Sequence, residues 1–182
     1  MTSPFPLVGE HSVRLMRDVL YKERMTSCAS PTLGPCFAFS ELPDLAGREF
    51  AGAAFVIEPH EKTAFESVTW IDRVYTEPDP PEFPATLVEG MHTLSMLDAI
   101  QKTAFRIDPP KTYGFNYGFD RVRFTSQVHV GDTLSSRFRI VSVDARGEGY
   151  LVTMGCELRV DGADKPALLA EWIVLCLQRS DS

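Results

Sequence analysis

From Leu87 the apolar residues Leu87, Met91, Leu94, Leu97 and Ala104 recur at the spacing of one helical face, and Pro109-Pro110 forbids the helix from continuing. One long helix is therefore predicted in the middle of the chain. Downstream the pattern changes to a period of two. Thr112 to Phe124, Thr133 to Val143, Gly149 to Val160 and Ala167 to Gln178 read as four strands. Turns at Val130-Gly131-Asp132, Arg146-Gly147-Glu148 and Asp161-Gly162-Ala163 join them. Upstream, Ala53 to Glu58 reads as a first strand. Pro59-His60-Glu61-Lys62 opens a short helix to about Phe65, with proline preset for a first helical position.

Two segments stand outside this pattern. Ser12 to Arg24 has helical spacing at Val13, Met16 and Leu20, with Ser12 placed to cap it, and Met25 to Pro43 reads as a long loop rich in Ser, Pro, Cys and Gly. Residues 1–44 are thus expected to form an N-terminal arm ahead of a domain spanning 45–182. The other is Glu77 to Pro84, where prolines at 78, 80, 81 and 84 remove backbone donors and leave only a loop. A strand, one long helix and then an antiparallel meander make an α+β domain whose sheet wraps around the helix.

Composition narrows the function. A chain of 182 residues that is 44% hydrophobic can bury a sizeable core as one domain. A net charge of -7 with no Lys/Arg run argues against a nucleic-acid groove or an anionic membrane surface, leaving small molecules and proteins as partners. The start, Met-Thr-Ser-Pro-Phe-Pro, lacks the basic and apolar regions of a signal peptide, and no apolar run is long enough for a membrane helix, so a cytoplasmic protein is expected. Cys28, Cys36, Cys156 and Cys176 show no metal-ligand spacing and are expected to be reduced and structural. No metal and no separate cofactor are expected.

The run Asn116-Tyr117-Gly118-Phe119-Asp120-Arg121-Val122-Arg123-Phe124, followed by Val128-His129-Val130-Gly131-Asp132, resembles the strand and turn that mark MaoC-like acyl dehydratases and (R)-specific enoyl-CoA hydratases. Leu45-Ala46-Gly47-Arg48-Glu49 is similar to that family's opening turn, and Thr86 to Ser95 is similar to its Thr-x-x-His-Gly-x-x-Thr-Leu-Ser segment. The resemblance covers roughly Leu45 to Leu177 and implies a hotdog fold, an acyl-thioester ligand carried on coenzyme A, and a homodimer or higher homo-oligomer. It also implies that Gly90, at the helix start, offers its N–H to the thioester oxygen.

The family's Asp and His pair has no counterpart. One alignment of Phe65 to Asp72 puts Asp72 near the family's catalytic Asp; another, counted back from Thr86, sets Asp72 in place of the His and Ser67 in place of the Asp. Both make Asp72 the acid expected in the site. Glu89 replaces the family's His before Gly90. The spacing Thr86-x-x-Glu89 is also that of a capping box, so Glu89 is read both as a helix cap and as a base or nucleophile. His92, three residues on, shares its face and is read as a catalytic partner or as a hydrogen-bonded core histidine. Tyr75, Asn116 and Tyr117 are the expected substrate contacts. Arg121, Arg123, Arg137 and Arg139 are either a solvated strand face or a basic surface for coenzyme A phosphates. The expected activity is hydration or dehydration of an acyl thioester or related carbonyl compound at a rearranged site. Two alternatives stay open: a hotdog thioesterase using Glu89 or Asp72, and a noncatalytic acyl-binding subunit of a hetero-oligomeric hydratase.

Overall fold

The computed structural model describes residues 32–75 and 84–179. The expected helix at Ser12 to Arg24, Cys28 and most of the proline-rich segment lie outside the described residues. From Leu33 onward the chain makes one compact unit. Its strands are β1 (Cys36–Phe37), β2 (Glu49–Ala51), β3 (Phe55–Val56), β4 (Arg106–Ile107), β5 (Thr112–Phe124), β6 (Thr133–Arg146), β7 (Gly149–Val160) and β8 (Leu168–Gln178). Its helices are a 3-10 segment at Phe39–Leu45, then α1 (Pro59–Val68), α2 (Ile71–Val74), α3 (Gly90–Ser95) and α4 (Leu97–Ala104).

The four long strands fall where the period of two places them. They form one antiparallel sheet in the order β2-β6-β7-β8-β5, with β3 also pairing with β6. Alternation decides what the sheet buries: Leu134, Phe138 and Ile140 of β6, Val152, Met154 and Leu158 of β7, and Leu168 and Trp172 of β8 point inward. Leu97, Ile100 and Ala104 of α4 meet them from the helix side. This is a hotdog arrangement, α+β in class, as the pattern led us to expect.

The central helix follows its expected path with one interruption. Met96 separates α3 from α4, because Thr93 and Ser95 turn their hydroxyls onto the carbonyls of Gly90 and His92, both at 2.7 Å, and so compete with the main-chain ladder. The expected loop from Met25 to Pro43 is, in its later described part, ordered. β1 pairs in parallel with β4, and Leu42 and Leu45 reach the core, each 1% exposed. The expected strand at Ala53 to Glu58 shortens to β3 at Phe55–Val56, a further strand, β2, precedes it at Glu49–Ala51, and α1 runs past Phe65 to Val68.

Two features of β5 bear on the site. It pairs only with β8 among the described strands, so its other edge is open over 13 residues. Exposed Tyr113, Phe115, Tyr117, Phe119 and Phe124 stand along it. Its ladder shifts register between Asn116 and Gly118, which leaves Tyr117 as the extra residue of a bulge.

Candidate active site

The start of α3 is fixed by the strand-like chain before it. Val88 donates its N–H to the Val128 carbonyl at 2.8 Å, Leu87 bridges to His129, and these extended contacts delay the helix until Gly90. Glu89 is consequently the N-cap residue itself, with an extended backbone and no capping bond from its side chain. The capping-box reading is overturned by this geometry. Thr86 lies too early to cap α3, and its hydroxyl instead pairs with His129 Nδ1 at 2.9 Å.

Glu89 is free of capping because it faces α1. Lys62, Phe65 and Glu66 share one face of that helix by their spacing of three and four. Lys62 Nζ donates to Glu89 Oε1 at 3.1 Å and also to Glu66. Burial works to lower the Lys62 pKa, yet the two carboxylates outweigh it and hold the ammonium above its ordinary value. Glu89 Oε2 is buried with no hydrogen-bond partner among the described residues. His92 stacks its ring on Phe65, with centroids 4.5 Å apart and planes 3° from parallel. It is 7% exposed, its Nδ1 is also buried without a partner, and burial pushes its pKa down against the pull of Glu89. Two unpartnered polar atoms in one cluster are costly, and they are two of the four buried side-chain atoms left unpartnered among the described residues.

Gly90 is the first residue of α3. A Cβ there would meet the Phe124 ring at 2.8 Å, so only glycine leaves that ring in place. A cavity of about 310 Å³ opens beside it, between Val88, Thr93, Phe124 and Val128. Farther along the helix, a cavity of about 280 Å³ runs past Met91, Ser95 and Phe119, and another of about 310 Å³ lies past Gln101, Thr112 and Met154. Both are lined by Asp98, Asn116 and Trp172.

The remaining expected residues divide. Asn116 lines these cavities, and its Oδ1 accepts the Trp172 indole N–H at 3.0 Å. Tyr117, on the bulge, is 52% exposed beneath Arg146 and lines none of the cavities described above. Asp72 and Tyr75 are exposed, Asp72 lying 3.9 Å from Arg73. Neither joins the cluster around Glu89 within this chain. The four arginines of β5 and β6 line a basin that also contains Glu49, Glu157 and Glu171, and Arg121 pairs with Glu171 at 2.9 Å. Lys62 and Phe65 were missed by the sequence reading, although the i, i+3, i+4 spacing of Lys62, Phe65 and Glu66 marks a shared face.

Cys36, Cys156 and Cys176 are free thiols, and burial pushes Cys156 up to about 12 and Cys176 to about 11, which makes both poor nucleophiles. Among the described residues no cluster of His, Cys, Asp and Glu could hold a metal ion, and no helix is long and apolar enough to cross a membrane.

Comparison with known proteins agrees with this architecture. Residues 79–160 match the MaoC like domain. The chain is 36% identical to nodulation protein N of Rhizobium leguminosarum bv. viciae over 94 residues, which cover 51% of this chain and 58% of that protein. It is 30% identical over 142 residues to 3-hydroxyacyl-thioester dehydratase Z of Mycobacterium tuberculosis, covering 74% of this chain and 93% of that one. The (R)-hydratase from A. caviae shares the fold, with a TM-score of 0.51 and 20% identity over 71% of this chain and 94% of the other.

Proposed function

The chain belongs to the MaoC-like dehydratase family, and from that premise we propose that it hydrates or dehydrates an acyl thioester, carried on coenzyme A, through a site rebuilt around Glu89. One observation carries this reading: a half-buried carboxylate that Lys62 anchors through one oxygen, with its other oxygen buried and unpartnered among the described residues, adjoins the first turn of α3. The Gly90 N–H belongs to the helix start, where amides have no intrahelical acceptor, so it can take the thioester oxygen as enolate charge develops. In hydration, Glu89 removes a proton from water as the water oxygen bonds to the β carbon. The same carboxyl then delivers that proton to the α carbon, and dehydration runs these steps in reverse. His92 Nδ1 supplies a second buried atom for holding the water. Asp72 and Tyr75 play no part in this scheme.

The acyl group occupies the cavities along Met91, Ser95 and Asp98, where the Asn116 amide retains its donors for the ligand. A second copy closes the open edge of β5, covering its aromatic row and giving a homodimer. Light scattering then gives at least twice 20.3 kDa. The free thiols of Cys36, Cys156 and Cys176 and the absence of a basic run in the sequence fit action in the cytoplasm, with no cofactor beyond the carrier thiol.

Following enoyl-thioester absorbance together with free thiol tests the reaction. A hydratase consumes the conjugated double bond and releases no thiol. Thiol release would make it a thioesterase, and neither signal, with acyl-CoA still bound, would make it a binding subunit.

A further inference from the structure

The cavity at the α4 end is not lined as a hydrocarbon tunnel. Its floor is apolar, built from Val152, Met154, Trp172 and Val174, but its walls carry Asp98, Gln101, Lys102, Arg106 and Thr112. Gln101 is 5% exposed and fully engaged: its amide donates to the Phe105 carbonyl at 2.8 Å, and its oxygen accepts from Lys102 Nζ at 3.1 Å. Lys102, with its side chain 53% exposed, lies at the rim of the cavity. Arg106 donates through Nε to the Gly34 carbonyl at 3.2 Å and has no carboxylate partner among the described residues. Thr112, 9% exposed, has a buried hydroxyl with no hydrogen-bond partner among the described residues.

The charges do not cancel. Against the two cations stands one carboxylate, Asp98, 3.4 Å from Lys102 in a pair whose side chains are 60% and 53% exposed. Such an exposed pair neutralises little. A methyl-ended chain would fill the floor and leave Thr112 unsatisfied behind it, which is unfavourable for a buried hydroxyl. An anionic end could accept from Lys102, Arg106 and Thr112 together, and charge-assisted bonds of this kind are the strong ones.

We propose that the acyl group this protein accepts ends in a carboxylate remote from the thioester, bound by Lys102, Arg106 and the Thr112 hydroxyl. The assignment rests on the acyl-thioester reading given above. It makes Lys102 a specificity residue, with no part in the proton transfers at Glu89.

The test uses matched medium-chain acyl-CoAs that differ only in a terminal methyl or carboxylate. Calorimetry of the saturated pair reads binding, and the corresponding 2-enoyl pair reads turnover. The full chain should prefer the carboxylate in binding by about tenfold or more. Lys102→Met should cut that preference by about tenfold, while Lys102→Arg should keep most of it. Equal binding of the two ends, preference for the methyl end, or an unchanged preference in Lys102→Met would overturn the proposal. Selective binding without enoyl turnover would sink the hydratase reading and leave this one standing. Binding of neither thioester would overturn both.

Discussion

Glu89 and Asp72 are the two carboxylates that the sequence nominates for proton transfer, and the fold treats them in opposite ways. Glu89 lies where an extended segment turns into α3, opposite a helix that presents Lys62, so one oxygen is fixed and the other is left buried without a partner. Asp72 lies on a single helical turn with its side chain 45% exposed, and its one ion-pair partner among the described residues is Arg73 at 3.9 Å. A carboxylate in water already has its hydrogen bonds, and reacting there gains nothing from a fixed dipole. If Glu89 carries the proton, the desolvation around a particular oxygen is a better guide to chemistry here than a family's alignment column.

The largest effect should come from the less exposed member of this pair. Glu89→Gln keeps the shape and the ability to accept from Lys62, but it cannot carry a proton between water and carbon. Turnover of an enoyl thioester should fall by ~100-fold or more, within the range for general acid-base groups. Retained turnover would remove Glu89 from the mechanism and return the Lys62 contact to a purely structural role.

Next is the wall beside it. Gly90→Ala gains a few tenths of a kcal/mol or more in helix propensity, but its Cβ would press on the Phe124 ring at 2.8 Å. Overpacking of this kind costs ~1–3 kcal/mol, so the variant should be less stable by urea titration. Combining it with Phe124→Ala should recover stability relative to Phe124→Ala alone. If Gly90→Ala is neutral in the native background, the ring yields freely and glycine is not needed there for packing.

Much of the fold was legible because the strands are regular. The period of two located Thr112–Phe124 and Gly149–Val160 with their observed ends, since a half-buried sheet must alternate. The site was legible only in part. Gly90, Glu89, His92 and Asn116 were nominated from local motifs, but the partners of Glu89 and His92 come from α1 and those of Gly90 and Asn116 from β5 and β8, all more than twenty residues away in sequence. The capping-box reading failed because it assumed a helix start at Thr86, and that start is set by pairing with Val128 and His129, a long-range contact invisible in the local spacing. The break at Met96 has a local signal after all, in the hydroxyls of Thr93 and Ser95.

A smaller effect follows from His92. Burial lowers its pKa below the ordinary 6.5, although Glu89, Glu61 and Glu66 pull it upward and Lys62 pushes it down further. Between the folded value and 6.5 the unfolded chain binds more protons than the native one, so stability rises with pH across that window. Acidification through it should therefore destabilise the protein, and the loss should level off below the folded value. Urea titrations on either side of 6.5 check this, with His92→Phe as the control that keeps the stacking on Phe65 and removes the titration. An equal pH slope in that variant would assign the effect to other groups.

The smallest effect belongs to the exposed carboxylate and gives the comparison its lower bound. Asp72→Asn removes a charge 3.9 Å from Arg73, a contact between two side chains that are 45% and 63% exposed. Screening by water and the freedom of both side chains hold such a pair to well under 1 kcal/mol, so stability should change by no more than ~0.5 kcal/mol. Turnover should stay within about twofold, because an exposed group outside the buried cluster contributes neither a fixed base nor a fixed dipole. A loss near that of Glu89→Gln would reverse the assignment. It would mean that assembly of two copies brings Asp72 into a site that one chain leaves open, and that the family's acid position has kept its function despite the missing histidine.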